Sequence, residues 1–215
     1  MDEFILRILV KVFVMVAILP LHEYAHGWAA KKMGDKTAMM LGRLTLNPAK
    51  HLDLFGAIFM LVFGFGWAKP VPVNSENFKW KNKKAATAIV AAAGPLSNLI
   101  AAIIGCFIWG LVLLFNPSET FFVAISTVFV YFIQINITLA VFNLIPFPPL
   151  DGSKILYMFL PDKWIYFIES NSRYLLIALF ALMYLTGFGS IVSTVGSTIF
   201  GWMISVVNAF YGLFY

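Results

Sequence analysis

Long apolar runs decide what this chain can fold into: Phe4 to Leu21 with two basic interruptions, Ala85 to Phe115, Phe121 to Phe147, Tyr174 to Phe188 and Ile191 to Tyr215. A hydrocarbon layer of about 30 Å takes about 20 helical residues, so most of these runs can cross it, and the fourth is short unless flanking polar residues finish the span. Of the 215 residues 61% are hydrophobic and 12% charged, against about 25% charged in a soluble domain. The chain therefore reads as an all-α polytopic membrane protein of the cell membrane with about five transmembrane helices. Asp2 and Glu3 open the first run, and no small-residue cleavage site closes it, so it is read as a retained helix and not as a signal peptide.

The net charge of +5 does not imply nucleic acid, because the basic residues gather between apolar runs. Lys31, Lys32, Lys36, Arg43 and Lys50 follow the first run, and Lys69, Lys79, Lys81, Lys83 and Lys84 precede the second, whereas the connections near residues 116–120 and 187–190 carry no basic residue. The positive-inside rule then places the basic loops in the cytoplasm and the N-terminus outside. The 14 residues Leu54 to Trp67 are apolar with basic flanks on both sides, which predicts a re-entrant segment; a short true span is the alternative and inverts the later topology. Trp67 to Val73 carries Pro70 and Pro72 two residues apart, so it is either a small membrane-associated β element that pairs along one edge or a polyproline connector. Cys106, the single cysteine, excludes a disulfide framework and reads as a packing residue.

The polar end of the first run is His22-Glu23-Tyr24-Ala25-His26. On a helix the two imidazoles project one turn apart from one face, the spacing at which both bind one Zn²⁺, and Glu23 beside them can act as base toward metal-activated water. A chance match is the rival, weakened because an intramembrane His-Glu-His cluster without a role costs several kcal/mol. Arg7 and Lys11 fall on the same helical face. Pro20 cannot donate to the Val16 carbonyl, so a kink is expected one turn before the imidazoles. A hydrolytic zinc site needs a third protein ligand. Asp151, after Asn143-Leu144-Ile145-Pro146-Phe147-Pro148-Pro149-Leu150, is the candidate; alternatively it is an ordinary N-cap of a short helix.

Five blocks in order, HEYAH, GRLTLNPAKHLD at 42–53, GFGWAKPVPVN at 64–74, AGPLSN at 93–98 and NLIPFPPLDG at 143–152, resemble the site-2 protease family of intramembrane zinc metalloproteases, in its compact form without PDZ or CBS domains. The resemblance implies one integral membrane protease domain over 1–215, with a catalytic core at about 4–155 and further helices at about 173–215. It implies one zinc ion per chain bound by His22, His26 and Asp151, with Glu23 as the catalytic base. It gives Asn143 a hydrogen bond to substrate backbone and marks Asn98 as a second candidate substrate residue, with helix packing as its alternative. His51 matches a block of the compact subtype without reading as a ligand. Trp67, Val71 and Val73 would hold an unwound substrate by strand addition. Expected partners are a transmembrane protein or peptide substrate and the lipid bilayer, with the site near the cytoplasmic side and no oligomeric state fixed. A zinc transporter or a metal-binding scaffold without proteolysis is the alternative function, since His and Asp within a bilayer also line ion paths.

Overall fold

A computed structural model describes residues 8–9, 12–63, 68–115 and 118–212. Arg7, Lys11 and Trp67 lie outside the described residues. The first helical stretch contains a π-helical turn, Val14–Ile18, that runs straight into α1, Leu19–Met33. The turn sits where Pro20, which has no N–H, leaves the Val16 carbonyl without its usual donor, so the wider π winding takes up the defect that the sequence predicts as a kink. Gly34, at φ 114°, closes α1, and Asp35 N–H donates back to the Ala30 carbonyl at 2.9 Å.

A short helix α2, Thr37–Met40, follows. Next comes α3, Leu54–Phe63, whose start is set by Asp53 accepting from Gly56 N–H at 2.8 Å. At 10 residues it is about 15 Å long, half a hydrocarbon layer. Its two flanks meet: Leu52 and Ala68 form an antiparallel bridge, and Lys69 N–H donates to the His51 carbonyl at 2.8 Å. The chain thus leaves and returns at one place.

That bridge is the whole of the β structure among the described residues, so the expected β element is not borne out. Residues 69–74 have no strand partner. The prolines remove two donors, and side chains take several of the groups that remain. Arg43 Nη2 donates to the Lys69 and Pro70 carbonyls, and Val71 N–H donates to Glu23.

The central element is α4, Lys83–Leu114, capped by Asn82 accepting from Ala85 N–H at 3.0 Å. It is followed by α5, Glu119–Asn143, the short α6, Asp151–Leu156, α7, Asp162–Ser170, α8, Ser172–Leu185, and α9, Phe188–Tyr211. Lys83–Leu114, Phe121–Asn143 and Phe188–Tyr211 are long and apolar enough to cross a membrane, and the α7–α8 pair, bent by 74°, makes a fourth if it is one span. Helix α4 packs against α1, α5, α6 and α9. Small side chains let it approach closely: Ala29 and Ala30 meet Ala86, Val90 and Phe78 at one end. Farther along, Ala102 and Cys106 meet Ile133, Ile137 and Val207, which makes Cys106 the packing residue expected of it.

Asp35 ties the segment after α3 to the end of α1. Its fully buried carboxylate accepts from Thr37 N–H and hydroxyl, from Asn74 N–H at 2.8 Å and from Asn77 Nδ2 at 2.9 Å. Burial pushes its pKa up, but the accepted hydrogen bonds outweigh that and hold it below the ordinary value. The stability it contributes is present above the unfolded carboxyl's pKa of about 3.9 and is lost as the pH falls below that toward the folded value. Asp35→Ala should lower the unfolding free energy by about 3 kcal/mol. Chemical denaturation of wild type and variant checks this, and the gap between them should narrow in acid.

Candidate active site

Three side chains from two distant segments converge beside α4. His22 and His26, one turn apart on α1, and Asp151, the first residue of α6, are all buried. Asp151 Oδ2 lies 3.2 Å from His22 Nε2 and 3.1 Å from His26 Nε2, and the two Nε2 atoms are 3.1 Å apart. The alternative reading of Asp151 as an N-cap does not hold: Leu150 is the capping residue, without a side-chain bond, and the Asp151 carboxylate turns to the imidazoles.

The chemistry of this triangle follows from one hydrogen bond. His26 Nδ1 donates to the Val90 carbonyl at 2.8 Å, because a carbonyl can only accept. In the neutral ring this leaves Nε2 as a bare lone pair, aimed at a carboxylate oxygen and a second imidazole nitrogen. Where His22 also carries its proton on Nδ1, three lone pairs face one another at 3.1–3.2 Å, an arrangement that a cation among them relieves. The spacing matches the edge of a tetrahedral zinc site, about 3.3 Å for bonds of 2.0–2.1 Å. Nitrogen and carboxylate donors suit that ion, and the three residues form the metal-competent cluster among the described residues.

Gly94 makes room for the cluster. A Cβ on Gly94 would overlap His26 Nε2 and lie 2.6 Å from His22 Cε1. Gly152 does the same for Asp151, since a Cβ there would run into the Leu144 and Ile145 carbonyls where α6 folds back on the end of α5. Both glycines stand in blocks whose roles the sequence reading assigns elsewhere. The available signal for Gly94 is a Gly-Pro pair inside a long apolar run.

Glu23, next to His22, accepts from Val71 N–H through Oε2 at 2.7 Å. A cavity of about 370 Å³ opens over the cluster, lined among others by Glu23, Val71, Val73, Asn143 and Tyr157. Burial pushes the Tyr157 phenol up, so it presents a protonated hydroxyl. Asn143 Nδ2 donates to the Leu139 carbonyl at 3.0 Å, which leaves its Oδ1 and second N–H for a ligand. Val71 points its side chain inward against Gly27, whereas Val73 is exposed. Asn98 is fully buried on α4 and does not line the cavity, with its Nδ2 unpartnered. His51 is buried away from the cluster, its Nε2 donating to the Thr45 carbonyl at 2.7 Å.

Comparison with known proteins gives the same direction. The profile of "Peptidase family M50" matches residues 10–123 and 108–186. The chain is 47% identical over 154 residues to "Putative zinc metalloprotease YwhC" of Bacillus subtilis, covering 70% of this chain and 68% of that protein. It is 33% identical over 139 residues to "Putative zinc metalloprotease Rip2" of Mycolicibacterium smegmatis, covering 62% of this chain and 51% of the relative. It is 31% identical over 155 residues to "Putative zinc metalloprotease MJ0611" of Methanocaldococcus jannaschii, covering 68% and 65%. No solved structure matches the chain.

Replacing Gly94 with Ala should push the imidazoles apart and cut the zinc content of the purified protein at least tenfold. Gly201→Ala, where a Cβ meets nothing within 4 Å, should leave it unchanged. Metal analysis after dialysis against zinc-buffered solution reads both.

Proposed function

This chain belongs to peptidase family M50, the intramembrane zinc metalloproteases, and we propose that His22, His26 and Asp151 hold its zinc ion while Glu23 is its catalytic base. The convergence of three metal-ligating atoms within 3.2 Å carries this reading. Bound there, zinc supplies a Lewis acid that acidifies a water molecule and polarises a peptide carbonyl.

The protein's own residues do the rest. Glu23 removes the proton from the attacking water and returns it to the leaving amine, a transfer worth about 10²–10⁴ in rate. The Val71 N–H holds the Glu23 carboxylate toward the cavity, so the segment 69–74 positions the base. Asn143 reaches the substrate backbone from the end of α5, and Val73 forms the open side of the cleft. A transmembrane helix hides its carbonyls in its own hydrogen bonds and must unwind before it can lie along this segment. Asn98, fully buried away from the cavity, is left to helix packing.

The substrate class is a peptide bond in or near a transmembrane segment of a membrane protein. Three long apolar helices and the bent α7–α8 pair support up to four spans, and we count the helical stretch 12–33 as the fifth. The meeting of Leu52 with Ala68 favours a re-entrant α3. With the basic loops in the cytoplasm, the N-terminus lies outside and the site opens near the cytoplasmic face.

Purified protein loaded with zinc should cleave a helical membrane peptide in vesicles, and chelation should stop it. Glu23→Gln should lower the rate at least about 10²-fold with zinc retained; a variant that cleaves at the wild-type rate removes Glu23 as the base. Val71→Pro deletes the N–H that Glu23 accepts and should slow cleavage about tenfold or more with zinc content unchanged. Single-turnover rates measured beside metal content separate these effects from loss of the ion.

A further inference from the structure

On the flank of α1 next to the imidazoles, a groove of about 570 Å³ runs between α1 and α4, away from the cavity over the metal ligands. Its walls, Leu21, Ala25, Ala93, Leu96 and Ile100 among them, are apolar almost throughout. It follows α1 from Leu21 to Lys32, about 16 Å at 1.5 Å per residue. Lys32 is the one charged residue in its lining and stands at the end where α1 leaves the apolar region. Its Nζ lies 5.4 Å from the centre of the Trp28 ring, and no carboxylate pairs with it among the described residues. Trp28 is half exposed beside it.

We propose that this groove binds an anionic phospholipid, with one acyl chain between α1 and α4 and the phosphate at Lys32. The groove demands a long apolar body with a negative charge at one end. A phospholipid supplies both in one molecule, and its headgroup lies at the depth where tryptophan and lysine side chains concentrate. A second copy of this chain docked face to face would set Lys32 against Lys32, so like charge disfavours it. An ordinary apolar helix would fill the walls but leave the ammonium without an anion. Lys32 stays near the Trp28 ring, so the cation is held in place before the lipid arrives. An acyl chain lying on Ala25 and Ala93 also rests on the immediate chain neighbours of His26 and Gly94.

The test uses the full chain in phosphatidylcholine vesicles into which brominated phosphatidylglycerol or brominated phosphatidylcholine is titrated, reading tryptophan quenching. The difference between wild type and Trp28→Phe isolates the Trp28 signal. Brominated phosphatidylglycerol should compete for the site about fivefold better than brominated phosphatidylcholine, whose choline neutralises the same phosphate, the ratio expected of one lysine against one net negative headgroup charge. Lys32→Gln should abolish the preference, and Lys36→Gln should keep it. Equal quenching of Trp28 by the two lipids overturns the proposal, as does a preference that survives Lys32→Gln. The readout does not involve cleavage, so it stands or falls apart from the assignment of the protease site.

Discussion

Three metal-ligating atoms, His22 Nε2, His26 Nε2 and Asp151 Oδ2, held within 3.2 Å of one another, form a donor set suited to one cation. That constraint organises much of the molecule. It requires α1 to present two imidazoles on one side, α6 to begin where its first carboxylate meets them, and α4 to lie close enough to orient a ring through a backbone carbonyl. The Val90 carbonyl and the missing side chain at Gly94, one turn apart on α4, meet that last requirement together. One supplies the acceptor that sets the tautomer, and the other leaves the space the ring occupies.

Helix α4 is therefore both scaffold and part of the site. Its small residues admit α1 on one side, while α5, α6 and α9 pack against the rest of its length. In lipid, where apolar side chains gain little by leaving their surroundings, such close backbone approach is the main source of helix association. The same close-packed pair leaves an apolar groove on its outer flank, a direct consequence of the packing that brings the candidate metal ligands together.

The segment from Lys69 to Asn74 shows how a chain without regular structure is held in place. Proline removes its donors at two positions, and Arg43, Glu23 and Asp35 take the groups that a neighbouring strand would otherwise satisfy. The Glu23 contact couples this segment to the carboxylate proposed as the base. Asp35, buried and ionised, anchors its far end to the turn after α1. The orientation of Glu23 and the stability of the fold thus share a short stretch of backbone.

Much of this was legible in the chain itself. Apolar runs set the all-helical membrane class, because an unpaired backbone in hydrocarbon is too costly for any other local solution. The His-Glu-x-x-His spacing determined that two imidazoles share a helix face, since one turn of α-helix is a local property. Proline and glycine patterns marked the turn before Asp151 and the irregular stretch after Trp67. Other features depended on contacts between distant segments. These include Asp151 facing the imidazoles instead of capping its helix, the Val90 carbonyl fixing the His26 tautomer, the close fit at Gly94, and Val71 giving its N–H to Glu23 instead of a strand. Each is a choice among partners that local geometry leaves equally available, and only the packing of α1 and α6 against α4 determines which partner is within reach.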